Sequence, residues 1–291
     1  MKDSVKTLNI LLTGATGFLG SHLLRAFVAK GWNVSIIKRS FSSTNRIQDL
    51  LPAVTALDID AAPLAALFEQ KGPFDAVVHA ATCYGRHGET ATQVLEANLG
   101  FSLSLLETAT LYNTTTFYNT TTTLYPYLNA YALSKRQFED WGRMFSSQGR
   151  IRFVNLKVEH MYGPDDEPSK FTTFIFLSLK NNISEIALTL GEQKRDFIYI
   201  DDVVEAYIIL LKQIRRDSVF TEYEIGSGEA VSIRDFVETA RKVIGSSSNL
   251  LFGAKEYREH EVMFSQADIK KMMELGWKPQ VSLEQGILKT M

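Results

Sequence analysis

One cysteine, Cys83, stands in 291 residues, so the chain has no internal disulfide framework and no thiolate set for a metal cluster; no metal is expected. No apolar run approaches the roughly 18 residues of a membrane span, and the stretch before Leu8 is polar. A cytoplasmic protein without a membrane partner is the expectation, and the sequons at Asn113, Asn119 and Asn182 then carry no weight. Neither sign of charge dominates. With 31 basic and 33 acidic residues the net charge is −2, which supplies no broad attraction to nucleic acid or an anionic surface. There is no internal repeat, and the threonine runs at 114–116 and 120–123 sit in a strand context.

The pattern that is present alternates strand and helix. Leu8–Thr13 is a short apolar run, Phe18–Ala29 has helical spacing closed by Gly31, and Val34–Ile37 is the next strand. Further strands are predicted over Val54–Leu57, Ala76–His79, Thr115–Asn119 and Ile151–Leu156. Helices at Pro63–Gln70, Thr90–Leu111 and Asn129–Phe145 lie between them. This alternation predicts an α/β fold with a Rossmann-type, doubly wound, mostly parallel sheet. Past Gly163–Pro168 the order loosens. Helices are predicted at Phe171–Leu179, Ser232–Ile244 and Gln266–Leu275, and a strand at Phe197–Ile200 runs into an Asp201-capped helix ending near Ile214. A length of 291 residues suits one large domain with a smaller lobe assembled from discontinuous pieces.

The first strand leads into Thr13-Gly14-Ala15-Thr16-Gly17-Phe18-Leu19-Gly20. Glycine 14 permits a tight turn, Gly17 lets backbone approach a pyrophosphate, and Gly20 allows close packing of the following helix. The helix start then offers unpaired N–H groups and partial positive charge to phosphates. Gly14, Thr16, Gly17, Phe18 and Leu19 are therefore candidate dinucleotide contacts; the strand before and helix after make this GxxGxxG spacing informative. The second strand ends in Lys38-Arg39-Ser40, where an NAD enzyme usually carries an acid for the ribose 2′-hydroxyl. Two cations and a hydroxyl suit a 2′-phosphate, so Arg39 and Ser40 favour NADPH over NAD. After the third strand Asp58 and Ile59 are placed for the adenine, and after the fourth His79, Ala80 and Ala81 for the adenosine.

Tyr131 and Lys135 are four residues apart on a predicted helix and share a face. A neighbouring ammonium favours the phenolate, so the expectation is a tyrosine whose pKa falls toward working pH and which exchanges a proton with a carbonyl or alcohol. Eleven tyrosines make one such spacing an expected coincidence; its position downstream of a dinucleotide fingerprint gives it weight. Arg195 and Arg258 sit in polar segments and suit bidentate phosphate binding. Glu261, three residues past Arg258, would bond a ribose hydroxyl or orient the arginine. Lys170 and Phe171 would line a nucleotide pocket, and Arg86 and His87 follow the fourth strand, where a loop would reach the sugar.

TGATGFLG, His79-Ala80-Ala81, Asn98, the Tyr131/Lys135 pair, Tyr162-Gly163-Pro164 and Arg195-Asp196-Phe197-Ile198-Tyr199 together resemble the extended short-chain dehydrogenase/reductase family of nucleotide-sugar enzymes. The resemblance implies Tyr131 as general acid/base, with Lys135 lowering its pKa and binding the nicotinamide ribose. It also implies a hydroxyl near Asn119 on the reacting oxygen, Asn98 stabilising the helix that faces the site, and a homodimer. It places the dinucleotide domain at 1–165 with 195–225 and the nucleotide-sugar lobe at 166–194 with 226–291. Segments 82–87, 156–171, 223–238 and 252–269 are similar to the bacterial reductases that make CDP-paratose and CDP-abequose. These reductases use NADPH on the 4-ketone of a CDP-linked 3,6-dideoxyhexose. The family's dehydratases follow the catalytic Thr with Asp and Glu; this chain has threonines there, which argues against dehydration. Only about ten residues separate those threonines from Tyr131 where many relatives have about twice that, so Thr122 and Thr120 both stand as the catalytic hydroxyl. A 4-epimerase retaining NAD and a non-catalytic dinucleotide-binding regulator are the alternatives.

Overall fold

The computed structural model describes residues 7–215, 217, 219–259 and 261–291. The first six residues of the expected dinucleotide domain lie outside that set. The strands are β1 (Asn9–Thr13), β2 (Asn33–Lys38), β3 (Thr55–Asp58), β4 (Ala76–His79), β5 (Thr116–Thr122) and β6 (Arg152–Val158). They continue with β7 (His160–Tyr162), β8 (Glu185–Leu188), β9 (Lys194–Tyr199), β10 (Phe220–Ile225), β11 (Ala230–Ser232) and β12 (Asn249–Phe252). The helices are α1 (Phe18–Ala29), α2 (Leu64–Lys71), α3 (Ala91–Leu95), α4 (Phe101–Leu111) and α5 (Ala130–Ser147). Then follow α6 (Phe171–Lys180), α7 (Ile200–Leu211), α8 (Ile233–Ile244), α9 (Lys270–Glu274) and α10 (Leu283–Thr290).

Seven strands form one sheet in the order β10-β6-β5-β4-β1-β2-β3, the order of a doubly wound fold. Strands β1, β2 and β4 read as continuous apolar runs because helices cover both faces, which removes any alternation. Ile10, Leu11, Leu12, Val77 and Val78 are fully buried. One face packs on a cluster in which Phe117 stacks on Phe153 at 5.4 Å with Phe138 edge-on to both. Burial of each such ring stabilises the fold by about 1.5–3 kcal/mol. Register positions the site. Thr13 pairs with His79 and His79 with Asn119, so β1, β4 and β5 end in one row. The glycine turn, Ala80–Ala81 and Thr120–Thr122 all emerge there, where ligands of such sheets bind.

The chain divides into two compact units, 1–157 with 207–223, and 158–206 with 224–291. Residues 195–206, placed by resemblance in the dinucleotide half, fall in the second unit. That unit holds a three-stranded sheet in the order β11-β9-β7 and a parallel β12-β8 pair. Its core stacks Phe197 on Phe236 at 4.0 Å, with Tyr162 and Phe176 around them.

Three sequence expectations change. The helix predicted over Thr90–Leu111 is broken by a π-helical turn at Glu96–Gly100, between α3 and α4. Helix α7 begins at Ile200, so Asp201 lies in its first turn and is not its cap. Gln266–Leu275 is helical only over α9. No helix among the described residues is long and apolar enough to cross a membrane.

Candidate active site

The glycine turn is closed by the Gly17 amide donating to the Gly14 carbonyl at 2.9 Å. Glycine 14 has φ +74, and a Cβ there would stand 2.5 Å from the Ala81 amide nitrogen. Helix α1 has Gly17 as its N-cap and no side-chain cap, so its first amides point outward without a competing side-chain acceptor. Phe18 and Leu19 are buried, so their contribution to a ligand is their backbone. This cradle fits the pyrophosphate of a nicotinamide dinucleotide. Sequence reasoning missed Arg46: its guanidinium donates to the Thr16 carbonyl at 3.4 Å, bringing a cation from the loop after β2 to this turn.

His79 is fully buried, and its side chain is a strut between elements. Nδ1 lies 2.8 Å from Thr13 Oγ1 and Nε2 lies 2.8 Å from Ser102 Oγ. Ser102 already donates its proton to the Asn98 carbonyl at 2.7 Å, so Nε2 carries the hydrogen and Nδ1 accepts from Thr13. Burial, then the charge of Lys135, pushes the imidazole well below its ordinary pKa, which keeps it neutral. The chain from the Ala81 amide through Thr13 and His79 to Ser102 thus joins the turn to the π-helical segment. The methyl side chains of Ala80 and Ala81 leave that edge partly open.

Asn98, turned inward by the π-helical segment, is also fully buried. Its Oδ1 accepts from the Cys83 amide at 2.7 Å, and its Nδ2 donates to the Cys83 carbonyl at 2.8 Å and to Ser134 Oγ at 3.1 Å. Ser134 in turn donates to the Tyr131 carbonyl at 2.9 Å. One amide therefore ties the loop after β4 to the first turn of α5. Asn129 caps that helix, accepting from the Ala132 amide at 2.9 Å.

Tyr131 retains enough exposed surface for a substrate to reach it, but its phenol is pushed well above the ordinary range. Burial is the main cause, followed by Tyr84; the Thr122 hydrogen bond and Arg86 act in the opposite direction. The expected lowering by Lys135 is not realised in this state. Lys135 is 2 % exposed, its ammonium donates to the Thr120 carbonyl at 2.9 Å, and burial pushes its pKa down to about 8. At neutral pH Tyr131 therefore holds its proton and is arranged as a donor.

The threonines separate by their partners. Thr120 and Thr122 share a strand face, but Thr120 Oγ1 lies 2.7 Å from the hydroxyl of buried Tyr207. Thr122 accepts from the Leu124 amide at 3.2 Å, and its hydroxyl acts to lower the pKa of Tyr131. Thr122→Val is expected to reduce turnover by about tenfold or more with stability nearly unchanged. Thr120→Val should strand the Tyr207 hydroxyl and cost about 1–3 kcal/mol of stability. Steady-state rates beside urea midpoints of both variants check this assignment.

At the end of β2 the tertiary structure supplies the carboxylates that the local sequence lacks. Lys38 is ion-paired with Asp58, so neither is the unengaged group expected. The Ser40 amide and hydroxyl donate to Asp60 at 2.8 and 2.5 Å, which holds that carboxyl below its usual range. Arg39 is exposed, its guanidinium 4.8 Å over the Phe41 ring. Ile59 is half-buried against the aromatic core.

A dinucleotide cradle with a tyrosine and a lysine beside it does not by itself name a family; likeness to known proteins does. The model of the NAD dependent epimerase/dehydratase family matches residues 10–226. The chain belongs to that family. CDP-abequose synthase of Salmonella typhimurium is 34% identical over 296 residues, covering 96% of this chain and 95% of that one. The CDP-abequose synthase of Salmonella muenchen is 32% identical, covering 96% of each. Among solved structures, UDP-glucose 4-epimerase of Thermotoga maritima with UDP-glucose superposes with a TM-score of 0.85 at 23% identity, covering 97% of both chains. That likeness shows the fold.

In this epimerase/dehydratase family member the other expected site residues lie in the second unit. Arg195 is nearly buried; its guanidinium donates to Glu261 at 2.5 Å and to the Lys194 carbonyl at 2.8 Å. Glu261 thus orients Arg195, not Arg258, although the Glu261 amide donates to the Arg258 carbonyl at 3.1 Å. Arg258 itself is exposed. Lys170 is ion-paired with buried Asp166 at 2.9 Å, and Phe171 opens α6 with its ring 6.1 Å from Phe236. His160 lies edge-on to Phe197 with Nδ1 3.3 Å from the buried carboxylate of Glu159. In the first unit Arg86 is exposed and lies over the ring of Tyr84.

Proposed function

We propose that this chain is an NADPH-dependent reductase of the 4-ketone of a CDP-linked 3,6-dideoxyhexose, yielding CDP-abequose or CDP-paratose. The observation that carries this reading is Tyr131, a half-buried phenol that its surroundings keep protonated, beside Thr122 at the end of β5. The near full-length likeness to two CDP-abequose synthases supports the substrate class. A bound nicotinamide dinucleotide would supply the hydride. Its pyrophosphate would rest on the amides after Gly14, Arg39 would meet the 2′-phosphate, and Lys135 would hold the nicotinamide ribose. Thr122 and Tyr131 would bond the ketone oxygen, and Tyr131 would protonate it as negative charge develops. Arg195 and Arg258 would bind the diphosphate, with Lys170 and Phe171 at the nucleotide.

The carboxylates of Asp58 and Asp60 beside Lys38 and Ser40 favour a second reading, a nucleotide-sugar 4-epimerase that retains NAD. One incubation separates the two. Purified protein with NADPH and a CDP-4-keto-3,6-dideoxyhexose should consume one NADPH per sugar, followed by its absorbance. No consumption, with NAD recovered from the denatured protein, would assign the epimerase.

A further inference from the structure

The loop after β4 places a second aromatic ring against Tyr131 and a cation over that second ring. The Tyr84 ring lies 4.9 Å from the Tyr131 ring at an interplanar angle of 43°. Asn98 holds the residue before it, Cys83, at both its amide and its carbonyl, and through Ser134 the same Asn98 is linked to the Tyr131 carbonyl. The spacing of the two rings is therefore set by one buried amide. Gly85 has φ +68, a conformation that reverses the chain, and the Arg86 guanidinium returns over Tyr84 with its carbon 5.0 Å from the ring centroid.

Proton donation leaves a negative charge that a nearby cation favours. When the Tyr131 O–H bond breaks and its proton forms the new O–H bond on the sugar oxygen, the electron pair stays on the phenol as a phenolate. Burial disfavours that anion, as the raised pKa of Tyr131 shows. Lys135, one turn along α5, donates to the Thr120 carbonyl. The groups bearing on Tyr131 are thus Tyr84 and Arg86 from the loop and Thr122 from β5, while Lys135 on its own helix is engaged by the Thr120 carbonyl. Glu89 lies in the same loop, its carboxylate accepting from the His87 amide at 2.8 Å.

We propose that Arg86, held over the ring of Tyr84, stabilises the phenolate left on Tyr131 after proton transfer, with Tyr84 as its positioning residue. This assignment rests on the reductase reading and deepens it, giving Arg86 a task other than gripping the sugar.

The test has one arm that needs no substrate. With tyrosine replaced throughout by a ring-fluorinated analogue, whose phenol is more acidic, the fluorine resonance of Tyr131 is identified by its loss in Tyr131→Phe. Its ionisation is then followed with pH. Arg86→Gln should weaken that ionisation by about three- to tenfold, and Arg86→Lys should recover part of it. In the second arm, Arg86→Gln should lower kcat by a similar factor with KM nearly unchanged. Tyr84→Leu should lower kcat to the same extent, Tyr84→Phe should not, and Tyr84→Leu with Arg86→Gln should lose no more than either alone. An unchanged ionisation midpoint in Arg86→Gln overturns the proposal whatever the rates do. A raised KM with kcat retained would make Arg86 a substrate ligand and overturn it too, as would additive losses in the double variant. Absence of turnover in the parent protein would count against the reductase reading alone, because the resonance arm still decides the role of Arg86.

Discussion

Tyr131→Phe is expected to reduce ketosugar turnover by about a thousandfold, within the span attributed to a positioned acid, while dinucleotide affinity stays nearly constant. The change deletes one hydroxyl. The ring keeps its packing against Tyr84, and Thr122 keeps the Leu124 amide as a partner, so no buried polar group is stranded. The sign of the pH dependence follows from the two groups. The raised Tyr131 pKa leaves the acid protonated across the working range, so it does not limit activity there. Lys135 loses its charge as pH rises through about 8, and the alkaline decline should belong to it. Steady-state rates with dinucleotide titration by fluorescence check the variant. Retention of more than about a tenth of the rate would place the acid elsewhere.

Gly20→Ala is expected to abolish dinucleotide binding and to destabilise the protein by about 3 kcal/mol or more, at the upper end for overpacking. Its Cβ would stand 2.0 Å from the Gly14 carbonyl oxygen and 2.5 Å from the carbonyl carbon, which are backbone atoms that cannot rotate away. The turn cannot retreat toward β4 either, because the Cβ direction of Gly14 already meets the Ala81 amide. The glycine expected to bring helix and sheet together therefore serves first to let α1 cross its own turn. Gly100→Ala is the control: nothing lies within 4 Å of that Cβ and the position is helical. It should be neutral or stabilising by about 0.5–1 kcal/mol. Urea unfolding and a dinucleotide titration of both variants test the contrast.

What the sequence determined by itself is what depends on neighbours along the chain. The glycine spacing, the alternation of strand and helix, and Tyr131 four residues before Lys135 each arise within one turn, strand or helix. The doubly wound sheet accordingly matches the sequence reading, with α1 and β4 at the expected residues. The short pieces β7, β8, β11 and β12 were invisible because three or four residues carry too little periodicity, and their pairing comes from tertiary contacts. Partners were equally hidden. Period-two alternation puts Thr120 and Thr122 on one face, so only Tyr207, 87 residues away, decides between them. Asp58 and Asp60 reach Lys38 and Ser40 through the pairing of β2 with β3, and Glu261 reaches Arg195 across 66 residues. The direction of the Tyr131 pKa also belongs to the tertiary structure. Spacing puts Lys135 on the face of Tyr131, but its ammonium goes to the Thr120 carbonyl, and burial, a property of the folded chain alone, sets the direction for Tyr131.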